Sequence, residues 1–188
     1  MKGHQIIIQR DGVQITTLAD ILPEKPGLRI LFVAKTPAPI SVEAGHYFQG
    51  RQGTAFWNML QRYGLLKVPP GQFQDECLLQ HGYGLTDIVK VPRAYGNEPD
   101  DSEYAEGRER ILNLIALHRP KATIFVYKGV LSQLLRDRGK RTRPSSYGFN
   151  PELEARFGCK VFVFPMPGTQ CNKTQAIAAM KALCGVLL

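Results

Sequence analysis

The chain has 188 residues, enough for one domain with a real core, and its 24 lysines and arginines against 16 aspartates and glutamates leave a net charge of +8 at pH 7. That surplus favours an anionic partner, and with no apolar run near the about 20 residues of a membrane helix and no signal pattern in residues 1–10, an intracellular protein without membrane contact is expected. Cys77, Cys159, Cys171 and Cys184 form no Cys-x-x-Cys pair, which argues against a zinc ribbon or a disulfide framework and for reduced, mostly buried thiols.

Residues 5–9 and 13–17 are β-prone runs joined through Arg10-Asp11-Gly12, a hairpin signal, and residues 1–17 are expected to be an N-terminal extension of a domain over 18–188. After Pro23 and Pro26-Gly27 comes the organising stretch, LRILFVAKTPAPISVEAGHYFQGRQGTAFW. Its residues 28–33 suit a buried strand, and Pro37 and Pro39 force the chain out of the sheet at the strand's carboxyl end, where open α/β sheets place ligands. Lys35, Thr36 and Ser41 then stand on a rim beside an aromatic cluster, Gly45-His46-Tyr47-Phe48. A helix is expected from Thr54 to Gly64, with Phe56, Leu60 and Tyr63 on one face. The unit reads as strand, polar elbow, aromatic loop and helix, which suits gripping a planar ligand that carries a sugar or phosphate.

A second strand is expected over 83–91, delivering Arg93, Tyr95 and Asn97 to the same rim. A helix follows Asp101-Ser102-Glu103, with Ala105, Ile111, Leu112 and Ile115 inward and His118 as a favourable charge in its last turn. A third strand over 122–127 and a short helix over 130–135 lead to a run with five basic residues in eight, including Arg141 and Arg143, which suits phosphate contact or a solvated loop. A fourth strand over 160–164 ends in the elbow PMPGTQCN, and a last helix over 173–188 is expected to turn Ile177, Met180, Leu183, Cys184 and Leu187 inward. Thr169 or Asn172 can cap it, and its first amides can accept a phosphate. Alternating strands and helices imply a three-layer α/β/α sandwich on a central four-stranded parallel sheet, with one functional rim and the hairpin as an addition.

The segment LRILFVAKTPAPIS followed by GHYFQG and FW, then HGYGLTDIVKVPRA, then FPMPGTQCNK, resembles in order the mismatch-specific uracil/thymine branch of the uracil-DNA glycosylase superfamily. The resemblance implies the three-layer fold, hydrolysis of the N-glycosidic bond of uracil or another deaminated base, and DNA with a damaged or mismatched base as partner. It further implies a monomer working near the nucleoid in the cytoplasm. The cysteine spacing does not resemble the iron-sulfur branches, so neither metal nor cofactor is expected. Such cleavage passes through an oxocarbenium-like sugar, so the site must hold the departing base and place a water.

Carried over by position, the water-orienting asparagine of the branch falls on Thr36 and its stacking aromatic on Phe48. The tail elbow, which meets base and phosphate, falls on Met166, Gly168, Thr169, Asn172 and Lys173. Three departures stand out: Ala34 and Ala38 replace glycines, Thr36 offers one hydroxyl in place of an amide, and Met166 cannot donate to a base oxygen. Thr36, His46 and Asp87 are therefore the catalytic candidates, with His46 also readable as a packed loop histidine and Asp87 as a buried acceptor. Lys35, Tyr47, Phe48, Met166 and Asn97 are the base-binding candidates. Ser41, Gly168, Thr169, Asn172, Lys173, Arg141 and Arg143 are those for DNA. A lesion-binding module without catalysis and a nucleoside or nucleotide hydrolase are the rival functions.

Overall fold

The N-terminal hairpin forms β1 (Gln5–Arg10) and β2 (Val13–Leu18), paired antiparallel from Gln5 opposite Leu18 to Arg10 opposite Val13. Asp11 and Gly12 take φ of 50° and 77°, the double positive that a tight hairpin turn requires. In the computed structural model, which describes residues 1–136 and 146–187, this ribbon is a sheet of its own. Bonds from the His4 amide to the Gly45 carbonyl (2.8 Å), Gln5 Nε2 to the Val42 carbonyl (2.6 Å) and Thr17 Oγ1 to the Lys90 carbonyl (2.5 Å) tie it to the body.

The apolar run after Gly27 becomes β3 (Ile30–Ala34), buried at every position. The chain then forms α1 (Pro39–Ala44), α2 (Arg51–Arg62), β4 (Tyr83–Asp87), α3 (Asp101–His118), β5 (Ala122–Phe125), α4 (Lys128–Leu134), β6 (Gly148–Phe149), α5 (Glu154–Phe157), β7 (Lys160–Val163) and α6 (Lys173–Leu187). β3 pairs in parallel with β4 and β5, and β5 with β7, so Ala34 lies opposite Asp87 and Val33 opposite Phe125. The pleat sends alternate residues to opposite faces. Phe32 therefore joins Phe56, Trp57, Phe162 and Met180 beneath α2 and α6, while Leu31 and Val33 join Ile111, Ile115, Leu131 and Val161 beneath α3 and α4.

The three-layer architecture matches the expectation, but among the described residues the sheet has five strands, in the order β4-β3-β5-β7-β6. The extra one, β6, pairs antiparallel with the edge of β7. Two residues carry no readable alternation. Its place is set from afar, because a Cβ at Gly148 would lie 3.3 Å from Ala179 of α6. Residues 39–44, expected within the elbow, form α1, since Pro39 suits a first helical turn and Gly45 closes it at φ 80°. α2 begins at Arg51, ahead of Thr54, after Gly50 as N-cap. The strand expected through 91 ends at Asp87.

In α3 the Asp100–Glu103 capping box sets the start, and the buried face runs through Tyr104, Gly107, Ile111 and Ile115. Ala105 and Leu112, expected inward, face out, because Gly107 rather than Ala105 lies against the Ile88 backbone. His118 is buried in the last turn of α3. Ile177 of α6 is likewise exposed, with Met180, Leu183 and Leu187 forming the buried stripe. All four cysteines are free, and only Cys77 is buried.

Candidate active site

At the carboxyl ends of β3, β4 and β5 lies a cavity of about 290 Å³, lined by Ala34, Thr36, Pro37, Ala38, Ser41, Tyr47, Phe48, Gly50, Arg51, Gln52, Gly53, Asp87, Tyr95 and Tyr127. It adjoins a groove of about 1100 Å³ that shares Thr36, Ala38, Gln52, Tyr95 and Tyr127 with it and continues along Lys35, Arg93, Asn97, Gln133 and Thr169. The proline exit explains this placement. Without a donor at Pro37 or Pro39 the chain leaves β3 at Ala34, and the opposing Asp87 is left at the floor of the opening.

Phe48 forms part of the wall in a left-handed backbone conformation, φ 57°, that a non-glycine residue adopts at a cost of about 1–3 kcal/mol. Its ring is held by Phe56 and Trp57, with centroids 4.7 and 5.5 Å away. The first turn of α2 comes so close that a Cβ at Gly53 would lie 2.3–2.4 Å from the Phe48 backbone. Tyr47 beside it donates its hydroxyl to the Ala19 carbonyl (3.0 Å) and accepts from Lys90 Nζ (3.0 Å). Burial pushes that phenol well above its ordinary range.

Asp87 is 1 % exposed, and its Oδ2 has no hydrogen-bond partner among the described residues. Lys90 Nζ stands 3.8 Å from that oxygen. Burial drives the Asp87 carboxyl up to about 6, helped by the Asp20 charge and opposed by Lys90, Tyr47 and Arg110. Behind it Asp20 binds Lys90 Nζ at 2.8 Å, Arg110 Nη1 at 2.7 Å and Thr86 Oγ1 at 2.7 Å. Burial works against the Asp20 carboxylate, yet the two cations outweigh it and hold that group below the usual carboxylate range. Two neighbouring carboxyls are thus pushed apart: Asp20 is held below the ordinary range, and Asp87 is raised to about 6.

The remaining candidates divide by position. Thr36 is half-buried and lines both openings. Ser41 lines the cavity and accepts the Gln49 amide at 3.0 Å. Lys35 lines the groove, where its Nζ lies 2.5 Å from Glu98 Oε1. Asn97 is an exposed groove residue in a turn. His46 lines neither opening: it is 5 % exposed, stacks on Phe73 with centroids 3.6 Å apart, and places Nδ1 2.9 Å from Asp75 Oδ1.

Met166 also lines neither, being 2 % exposed in the core under α2 and α6, where an unbranched thioether fills apolar space. From the tail elbow, Thr169 reaches the groove while its hydroxyl donates to the Met166 carbonyl at 2.7 Å. Asn172 Oδ1 accepts the Gln175 amide at 2.8 Å as the cap of α6. Gly168 and Lys173 are exposed beside it. Arg141 and Arg143 lie outside the described residues.

Sequence reasoning left Tyr127 and Gln52 off the rim, and it gave Tyr95 no role although that ring is 98 % exposed between cavity and groove. Tyr127 follows the third parallel strand, so the same rule that located Thr36 could have found it. The Asp20–Lys90–Arg110 cluster had no such signal, because its members come from three distant segments.

A mostly parallel α/β sheet with an aromatic-walled cavity at the carboxyl ends of its strands and a buried carboxyl on the floor is the arrangement of α/β proteins that carry their site at that edge. The chain belongs to the uracil DNA glycosylase superfamily, whose family model matches residues 23–179. It is 24% identical over 156 residues to the G/U mismatch-specific uracil DNA glycosylase of Schizosaccharomyces pombe. That alignment takes in 81% of this chain and 47% of the relative, so the chain spans about half that protein's length.

Proposed function

We propose that this chain is a monofunctional DNA glycosylase that hydrolyses the N-glycosidic bond of uracil or another deaminated base in DNA. The observation that carries the reading is the buried Asp87 carboxyl, whose Oδ2 takes no hydrogen bond among the described residues, in the same cavity as Phe48 and Thr36. A base extruded from the stack enters against the Phe48 ring, and its sugar and flanking phosphates occupy the groove beside Asn97 and Thr169. As the glycosidic bond breaks, its electron pair leaves with the base, which departs as an anion, and positive charge grows on the sugar. The ionised Asp87 carboxylate stabilises it and accepts a proton from the attacking water, to which the Thr36 hydroxyl can hydrogen-bond. Ser41 and Tyr47 bound the base pocket. No lysine amine is needed as a nucleophile, and Lys35 is engaged with Glu98.

A panel of oligonucleotides carrying uracil, hypoxanthine or xanthine, read by alkali-labile cleavage, tests the activity. Product on at least one substrate is expected, and Phe48→Ala should lower both lesion binding and cleavage by roughly tenfold or more, the worth of one base–aromatic stack. No alkali-labile site on any of them at high enzyme would remove the glycosylase reading. The single hydroxyl of Thr36 and the inward Met166 favour a second reading, lesion binding without cleavage. Salt-dependent affinity for lesion DNA with no product, together with cleavage gained by Thr36→Asn, would select it.

A further inference from the structure

Apart from the cavity, three side chains from separate stretches converge: His4 before β1, His46 between α1 and α2, and Asp75 in a single helical turn, Asp75–Cys77. One nitrogen or oxygen from each lies within 4.8 Å of the other two. His46 Nδ1 is 2.9 Å from Asp75 Oδ1, and His4 Nε2 is 3.6 Å from Asp75 Oδ2. His46 and Asp75 are buried, and the buried His4 Nε2 has no hydrogen-bond partner among the described residues.

We propose that His4, His46 and Asp75 form a site for one divalent transition-metal ion of the zinc type, which clasps the N-terminal hairpin to the body. Zinc bound by imidazole and carboxylate sits about 2.0–2.2 Å from each donor, which puts ligand atoms about 3.3 Å apart around a tetrahedral centre. His46 Nδ1 lies 2.9 Å from Asp75 Oδ1 and His4 Nε2 lies 3.6 Å from the other carboxylate oxygen, Oδ2, and a set of one donor atom from each residue fits within 4.8 Å, so a small closing of the three donors brings them to that spacing. Hydrogen bonding alone leaves His4 Nε2 unsatisfied at 3.6 Å, whereas an ion takes one lone pair from each residue. Two imidazoles to one carboxylate select zinc, copper or nickel over magnesium and calcium, which take oxygen.

The surroundings hold the donors in place. The Tyr47 amide donates to Asp75 Oδ2 at 2.7 Å, orienting the carboxylate, and the stack on Phe73, with ring planes 9° apart, sets the His46 ring. Gly3 leaves room for that ring, since a Cβ there would lie 2.9 Å from His46 Cε1 and Nε2. Binding requires the His46 tautomer that carries its proton on Nε2 and leaves the Nδ1 lone pair for the ion. The His4 side chain, 26% exposed, marks the side from which a water can complete the coordination. None of the three residues lines the cavity, so the ion's part is structural. Cysteine spacing, the sequence signal for zinc, is blind to a set without thiolates.

The test uses the full chain without a histidine tag, stripped by a chelator and titrated with zinc by calorimetry and with cobalt by visible absorption, magnesium serving as control. One equivalent of zinc per chain, the intense visible bands of a four-coordinate cobalt ion, and a rise in Tm of about 5 °C or more are expected. His4→Ala and Asp75→Asn should each abolish the stoichiometric site, the latter keeping an acceptor for the Tyr47 amide. A native chain whose Tm is the same in zinc and in chelator, or whose cobalt spectrum is that of the aqueous ion, would overturn the proposal without recourse to any variant. Equal zinc binding by native chain and His4→Ala would overturn it too.

Discussion

At Asp87 one carboxyl answers two opposed demands. Its ordinary value of 3.8 is raised to about 6 by burial, so the fold favours the protonated form. Below about pH 4 folded and unfolded chains are both protonated there and the residue costs nothing. Between about pH 4 and pH 6 the unfolded chain ionises first, and stability falls as pH rises, levelling off once both states are ionised at a cost of about 3 kcal/mol. The proposed catalysis by this carboxylate needs the ionised form and would therefore rise over the upper part of that window. Asp87→Asn should lower kcat by about 100-fold or more and remove the step near pH 6 from the pH–rate profile. Relative to the native chain its Tm should climb steadily between pH 4 and pH 7, which a thermal scan at several pH values would read. A variant that loses the step without the relative gain in Tm would place the titrating group elsewhere.

Among the elements, α2 determines the shape of the cavity through its first turn. Alanine normally improves a helix over glycine by about 1 kcal/mol, yet at Gly53 the added Cβ would sit 2.3–2.4 Å from the Phe48 backbone. Backbone cannot yield as a flexible side chain does, so the collision outweighs the propensity. Gly53→Ala should cost about 2 kcal/mol in urea denaturation and, by shifting Phe48, weaken lesion binding as well. The helix was legible in its apolar spacing, but its start was not: Thr54 was expected to open it, whereas it begins at Arg51 with Gly50 as N-cap. α1 was missed for a related reason, since two prolines and a serine read as an elbow and six residues are too few to show a period.

Over the whole molecule the net charge of +8 does not translate directly into phosphate contacts. Lys35, Arg93, Lys90, Arg110 and Arg136 are paired with Glu98, Glu103, Asp20 and Asp101, so much of the positive charge near the groove is compensated within the fold. DNA affinity should fall with added salt, but with a log–log slope that corresponds to only about two to four phosphates, well below what eight excess charges would give. Fluorescence anisotropy on a labelled duplex across a salt series measures that slope. A steep slope would mean that these pairs open on binding and release their cations to the DNA.

The amino-acid sequence by itself determined the alternation of strands and helices, the rim at the carboxyl ends and the exit of the chain after Ala34. These have local causes: branched apolar runs long enough for a strand, and prolines that cannot continue one. It also placed Thr36 and Phe48 on one rim, whereas Asp87, expected inside a strand running to 91, reaches that rim because the strand ends there. Only the tertiary structure decided that Asp87 is stripped of water beside Asp20, that His46 turns toward His4 and Asp75, and that Met166 packs into the core. Each of those outcomes depends on which distant residues supply charge, rings or apolar surface at the point of contact, and spacing along a chain carries no record of that.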